Sequence, residues 1–255
     1  GNGSIGANVM GSVEVERYTL NEKTLWRGGP GTGRGADKGT AKGAAHYWDV
    51  NVPAARVLPE IRQAFADGDF DKAARLTRDN FHNDVPYEAD GEPEFRFGSF
   101  TTLGELLIET GHDAGSVKGY RRALSLDSAV ATVSYQLDGV SFTRSSFISY
   151  PANAMVVRFA ASERGKQNLT LRYNPSPVSE GRKTAMDNDG IVYEGRLDNN
   201  GMQYVVRLKA VVKGGTVSNA NGELSVKGAD EVVFVLTADT DYKPNYDPDF
   251  NDPKA

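Results

Sequence analysis

The chain has 255 residues, enough to bury a sizeable hydrophobic core in one large β domain or two smaller ones. Its 29 Lys and Arg against 34 Asp and Glu give a net charge of −5 without a basic stripe, which argues against nucleic acid as a partner, because phosphate binding needs clustered basic side chains. There is no cysteine and no apolar run near the roughly 20 residues of a membrane helix, so the sequence excludes disulfides and predicts no membrane span.

The first predicted element is a strand. Residues 12–20 (SVEVERYTL) alternate apolar and polar side chains with a period of two and precede a turn-forming Asn21. A glycine-rich stretch, residues 28–43, follows. Its GTGRGA fits the pattern G-x-G-x-x-[GA], but a dinucleotide site needs a helix directly behind that pattern, and none is predicted there. The stretch is interpreted as a surface loop, with contact to a neighbouring domain or a substrate as the alternative.

Helical spacing then interrupts the β pattern. Val57, Leu58, Ile61 and Phe65 fall on one helical face, and Gly68 suits a C-terminal cap. Because proline is tolerated only in a first turn, the helix is expected to begin near residue 59, and a second short helix is expected from residue 70. The prediction is a two-helix insertion near residues 53–81.

Everything after about residue 95 is predicted to be strand and turn. Asp138-Gly139 stands between two alternating runs and predicts a hairpin with a type I′ turn. Many short strands without helices between them are typical of an antiparallel β-sandwich. Residues 241–255 are polar, acidic and interrupted by proline, as in a linker.

Judged by residue type alone, five glutamates could provide the carboxylates of a glycoside hydrolase. The candidates are Glu14, Glu16, Glu22, Glu105 and Glu109. A catalytic pair is defined by a separation of about 5 to 9.5 Å, which a sequence does not give. Glu14 and Glu16 are two positions apart and are expected to lie together on the solvated face of their strand.

The three histidines do not form a metal-binding motif. His46, His82 and His112 are far apart in the sequence, and the acidic tail lacks the spacing of a calcium loop. No metal or other cofactor is predicted. His46 lies in HYWD, a mixture of aromatic and polar residues that suits either a sugar-contacting surface or an interface.

Several ordered motifs resemble one enzyme family. Residues 1–30, GNGSIGANVMGSVEVERYTLNEKTLWRGGP, closely resemble the amino-terminal signature of glycoside hydrolase family 95, the bacterial α-L-fucosidases and their relatives. Residues 58–76, 98–109, 119–161 and 238–250 resemble further segments of that family in the same order. Ile5, Arg27 and the pair Thr101-Thr102 depart from its usual residues, which bears on substrate preference rather than on the family.

The resemblance implies a domain of a longer enzyme. Residues 1–240 would form a β-sandwich of the supersandwich, galactose-mutarotase-like type, and residues 241–255 would begin the linker to an (α/α)6 catalytic barrel. The full-length protein would be an inverting exo-α-L-fucosidase acting on plant or host glycans, in a bacterial periplasm or secreted. No position here matches the family's catalytic motifs, so the chain alone is expected to be inactive, with the barrel as its partner and an oligosaccharide as the substrate of the whole enzyme.

The resemblance also suggests where the domain meets substrate or barrel. Asn21 and Glu22 are expected to turn the chain so that Trp26 projects toward the barrel; the alternative is that Trp26 fills the core of the sandwich. The candidates for substrate binding or the domain interface are Asn21, Glu22, Trp26, Arg27, His46 and Trp48.

Two other classes of function stay open. The sandwich could be a stand-alone module that binds carbohydrate or has a structural role. It could also be a mutarotase-like enzyme, which needs a histidine and a carboxylate on one concave sheet. The reading frame beyond Ala255 discriminates between them, since several hundred further residues with helical-hairpin periodicity would favour the hydrolase.

Overall fold

The computed structural model describes residues 1–27, 54–81, 99–198 and 201–242. The chain divides into two compact units, one formed by Gly1–Arg27 with Phe100–Ala255 and the other by Gly28–Ser99. None of the helices in the described ranges has the length and hydropathy needed to cross a membrane.

The first unit is built from β-strands. In chain order they are β1 (Ile5–Val9), β2 (Val15–Glu22), β3 (Trp26–Arg27), β4 (Ser99–Phe100), β5 (Gly104–Glu109), β6 (Lys118–Ser125), β7 (Val130–Leu137), β8 (Val140–Ser149), β9 (Ala154–Ala161), β10 (Gln167–Pro175), β11 (Ser179–Met186), β12 (Gly190–Leu197), β13 (Gln203–Lys213), β14 (Thr216–Ala220), β15 (Glu223–Ala229) and β16 (Glu231–Thr240).

Two large antiparallel sheets contain most of these strands. One has the order β1-β2-β5-β10-β15-β14, and the other has the order β11-β12-β13-β16-β9-β8-β7-β6. Alternating side chains of both sheets form the larger of two buried hydrophobic clusters. Strand β16 shows the pattern clearly, because Val232, Phe234 and Leu236 are buried while the residues between them are partly exposed. The predicted mainly β, antiparallel sandwich is confirmed.

The hairpin between β7 and β8 confirms the turn expected at Asp138-Gly139. Leu137 pairs with Val140, so the loop has two residues. Both have positive φ, 51° for Asp138 and 83° for Gly139, as a type I′ turn requires. Its chemistry is local, and the sequence therefore predicts it well.

The second unit contains the predicted helix pair. Helix α1 spans Leu58–Ala66, with proline in its first turn, and helix α2 spans Phe70–Asn80. Gly68 follows α1 with a φ of +75°, and the Asp69 carboxylate caps α2 by accepting a hydrogen bond from the backbone N–H of Lys72 at 3.0 Å. The two-helix insertion is thus confirmed, with the first helix beginning one residue before the expected position 59.

The first predicted strand is shifted. Strand β2 begins at Val15 and runs through Glu22, so residues 12–14 precede it. Asn21 pairs with Gly6 inside the ladder and does not form a turn. At the other end of the unit, β16 ends at Thr240, and most of the predicted linker, residues 243–255, lies outside the described residues. The boundary between domain and linker stays a prediction.

Candidate functional site

The turn after β2 is organised by a buried carboxylate. Glu22 is only 4% exposed, and its Oε2 accepts hydrogen bonds from the backbone N–H of Thr24 at 2.7 Å and from its hydroxyl at 2.5 Å. The turn itself is formed by Lys23 and Thr24. The expectation that Asn21 and Glu22 turn the chain is therefore wrong by two residues, because the ladder to β1 continues through both of them.

Trp26 lies at the surface next to this turn. The residue is 43% exposed, its indole N–H donates to the carbonyl of Lys23 at 3.0 Å, and its ring packs edge-on against Phe100, with 5.6 Å between ring centroids. Phe100 is itself 48% exposed. The alternative in which Trp26 fills the core is wrong, since Leu25, with no exposed surface, occupies that place. Two exposed aromatic rings thus stand side by side.

The last strand ends beside the same turn. The hydroxyl of Thr240, the final residue of β16, lies 2.5 Å from the hydroxyl of Thr24. Tyr242, two residues further, is 52% exposed. The end of β16 therefore contacts the turn that precedes Trp26.

The side chains of three other predicted site residues lie outside the described part of the molecule. Arg27 contributes its backbone to β3, and its side chain lies outside the described part of the molecule. His46 and Trp48 also lie outside the described residues. Of the six candidates, the structure places Asn21, Glu22 and Trp26 together at one end of β2.

A second cluster, which the sequence does not predict, is centred on a buried ion pair. Arg144 of β8 and Glu16 of β2 are 3% and 0% exposed, and Arg144 Nη1 bonds to Glu16 Oε2. The same nitrogen donates to the carbonyl of Ser12 at 3.0 Å, and Glu16 Oε1 accepts from the backbone N–H of Gly11 at 2.7 Å. The guanidinium lies 4.9 Å from the ring centroid of Phe159. A charge pair inside a sandwich core needs this many partners to offset the loss of water.

His112 and Tyr135 border the ion pair. His112 Nδ1 lies 2.8 Å from the Tyr135 hydroxyl, and its ring packs against Phe142 with 4.4 Å between centroids. Burial and the nearby Arg144 charge lower the pKa of His112, because both disfavour the imidazolium. Burial also raises the pKa of Tyr135. Burial thus favours the neutral form of both groups.

Four of the five carboxylate candidates are held by other groups. Glu16 and Glu22 are buried and bonded as described, whereas Glu105 and Glu109 form ion pairs with Arg17 and Arg172. Glu14 is exposed, and the expectation that Glu16 shares its solvated face is wrong. In the described ranges, no three metal-ligating side chains converge.

Comparison with known families decides what kind of domain this is. The family model described as "Glycosyl hydrolase family 65, N-terminal domain" matches residues 1–245. The chain belongs to this family.

Named relatives of this glycosyl hydrolase N-terminal domain are several times longer than the chain. It is 31% identical to a "Probable alpha-fucosidase A" of Aspergillus niger and 26% identical to "Alpha-L-fucosidase 2" of Arabidopsis thaliana; each match covers 95% of this chain and 28% of the relative. A "Probable alpha-fucosidase A" of Aspergillus oryzae is 25% identical, with 31% of its length covered. The chain thus spans about three tenths of these relatives. Among solved structures, a "Putative kojibiose phosphorylase from human microbiome" matches with a TM-score of 0.39 and 8% identity, over 54% of this chain and 23% of that one.

The buried ion pair of this glycosyl hydrolase N-terminal domain had one signal in the sequence. Val13 and Val15 occupy odd positions, whereas Tyr18 and Leu20 occupy even ones, so the apolar alternation changes face in between. Glu16 shares the face of Tyr18 and Leu20, both of which have no exposed surface. Nothing local identifies Arg144, 128 residues away, as its partner.

Proposed function

We propose that this chain is the N-terminal domain of an α-L-fucosidase-like glycoside hydrolase of family 95, an exo-acting and inverting enzyme. The observation that carries the proposal is similarity over 95% of the chain to proteins named alpha-fucosidase. The resemblance of residues 1–30 to the family 95 signature supports the finer assignment. A bacterial periplasmic or secreted setting is part of the proposal and rests on that resemblance alone.

The domain's own role is to support the catalytic part rather than to perform chemistry. The carboxylates available by type are buried or bonded to arginine, except for the exposed Glu14, and this favours a non-catalytic role. The exposed rings of Trp26 and Phe100 pack against each other beside the turn that the end of β16 contacts. An aromatic pair at that place suits contact with the following domain or with a sugar, since an aromatic ring offers a large apolar surface.

The experiment compares the full-length protein with the 255-residue chain. Both are incubated with a 2′-fucosylated oligosaccharide, and released L-fucose is measured. We expect release by the full-length protein only. Release by the 255-residue chain would contradict the non-catalytic role, and a full-length protein that releases a different sugar instead would contradict the fucosidase assignment.

Trp26 provides the test of the supporting role. In the full-length protein, Trp26→Ala is expected to lower kcat/KM by about tenfold, which corresponds to about 1.4 kcal/mol of lost transition-state stabilisation. The matched control is Val211→Ala, because Val211 is also an exposed apolar side chain, at 56%, but lies seven residues from the end of β13 that pairs with Thr240. Equal kcat/KM for both variants, with the fold intact by circular dichroism, would eliminate this role.

A further inference from the structure

In the edge strand β1, the backbone groups of every second residue face away from the neighbouring strand β2. The N–H of Met10 donates to the carbonyl of Arg17 at 3.2 Å, and the N–H of Lys23 donates to the carbonyl of Ser4 at 2.9 Å. Hydrogen-bonded pairs alternate along an antiparallel ladder, so the even positions of β1 bond to β2. The N–H and C=O groups of Ala7 and Val9 therefore point outward from the sheet.

The open segment of β1, which contains Ala7 and Val9, is bounded by a contact at each end. On one side, the outward groups of Ile5 are satisfied by Asn2, whose Oδ1 accepts from the Ile5 N–H at 2.8 Å and whose N–H donates to the Ile5 carbonyl at 3.1 Å. On the other side, Arg122 donates to the carbonyl of Met10 at 2.5 Å, which ties β6 to the end of β1. Within the described part of the chain, the stretch between these two contacts is left open.

An apolar groove lies beside the open segment. It has a volume of about 410 Å³ and separates β1 from strands β6 to β9 of the other sheet. Its apolar lining includes Leu124, Ile148 and Met155, together with the half-buried side chains of Ala7 and Val9. Leu124 is 64% exposed. The groove is therefore an opening of the sandwich core to solvent.

We propose that an extended segment of the longer polypeptide adds to β1 as an extra strand. A strand satisfies the outward N–H and C=O groups of Ala7 and Val9, and its alternate side chains, if aliphatic and of moderate size, fill the groove. This inference rests on the part of the proposed function that makes the chain a domain of a longer protein. That protein supplies the occupant, because the chain spans only about 28% of two of its fucosidase-named relatives.

The positive charge of Arg122 predicts one property of the added strand. Arg122 lines the groove and forms no ion pair with another residue of the described ranges. An acidic side chain of the incoming strand is therefore expected at the end near Met10, where the Arg122 guanidinium is placed.

The test is residue-resolved hydrogen exchange on the full-length protein. The Val9 amide is expected to exchange about 100-fold more slowly than in an unstructured peptide, a protection typical of paired strands. Ala7→Pro removes an outward N–H without removing a bond to β2, and it should bring the Val9 rate to within about tenfold of the unstructured value. Ala7→Ser keeps the N–H and is the matched control. The inward-facing Asn8 amide reports that β1 still pairs with β2.

A second pair of variants keeps the test decisive if Ala7→Pro does not fold. Leu124→Asp places a charge in the groove and should also accelerate Val9 exchange, whereas Leu126→Asp, at an 84% exposed position outside the lining, should not. An unprotected Val9 amide in the full-length protein would overturn the proposal. Protection that rises with protein concentration would also overturn it, in favour of a second copy on this edge.

The outcome is separable from that of the proposed function. L-Fucose release is measured on the same samples. A protected Val9 amide without fucose release would contradict the fucosidase assignment alone, and fucose release with an unprotected Val9 amide would contradict the added strand alone.

Discussion

Removing one partner of the buried ion pair should destabilise the fold strongly. Glu16→Gln keeps the acceptor oxygen for the Gly11 N–H but leaves the Arg144 charge, 3% exposed, without its carboxylate and next to neutral groups such as the Ser12 carbonyl and the Phe159 ring. Breaking a buried pair in this way costs about 3–5 kcal/mol, because an uncompensated charge stays out of water. Arg144→Met should cost a similar amount, since it leaves the Glu16 carboxylate without its counter-charge.

The double variant should cost less than the sum of the two single variants. With both charges removed, no uncompensated ion is left, and coupling of about 1.5–3 kcal/mol is expected for groups in direct contact. The assay is urea unfolding followed by circular dichroism and tryptophan fluorescence. Glu231→Gln is the matched control, because Glu231 bonds to Arg158 on the surface, where the side chains are 33% and 47% exposed. A surface pair should contribute less than about 1 kcal/mol.

Two results would refute this reasoning. One is a Glu16→Gln variant that loses no more stability than Glu231→Gln. The other is a double variant whose cost equals the sum of the single costs to within about 0.5 kcal/mol, the usual limit for independent sites. Either would mean that the field around Arg144 is screened in spite of its burial.

Three further predictions concern other positions. The folded-state pKa of His112 lies below its ordinary 6.5, so the unfolded chain takes up a proton first as the pH decreases. The contribution of His112 to stability is therefore complete above about pH 6.5 and falls as the pH decreases below that value. In His112→Gln, the urea midpoints measured between about pH 5 and 7 should vary less with pH. Gly195→Ala would place a Cβ 2.5 Å from a ring carbon of Tyr193 and should lower the free energy of unfolding by about 1–3 kcal/mol, measured with urea. An unchanged urea midpoint would show that the ring moves freely. Leu25→Ala empties a fully buried site and should cost about 2–5 kcal/mol; a cost below that of Trp26→Ala would contradict the assignment of Leu25 to the core.

Turn and cap chemistry made part of the fold readable from the sequence. The pair Asp138-Gly139 favours positive φ at two successive residues, and Gly68 with Asp69 favours the end of one helix and the start of the next. These preferences act within a few residues, so they hold whatever the rest of the chain does. The class of the fold followed in the same way from the alternation of apolar side chains.

The candidate site was predicted less completely. The motif NEKTLW marked a structured end of β2, and Trp26 is exposed, as it must be if it projects from the domain, but the turn is at Lys23 and Thr24 rather than at Asn21 and Glu22. The sequence did not indicate that Leu25 is the buried residue. Both Leu25 and Trp26 are large and apolar, so composition does not say which one faces the core. That choice depends on the ladder between β1 and β2, which continues through Glu22.

The sequence alone determined the mainly β class, the two-helix insertion and the hairpin at Asp138-Gly139, because each depends on interactions between near neighbours in the chain. The tertiary structure decided the strand order, the open edge of β1 and the burial of Glu16. Strand order follows from ladders between distant segments, and an edge exists only where no segment of the described chain has paired. Glu16 lies inside because Arg144, on a strand of the opposite sheet, supplies the charge that makes its burial possible.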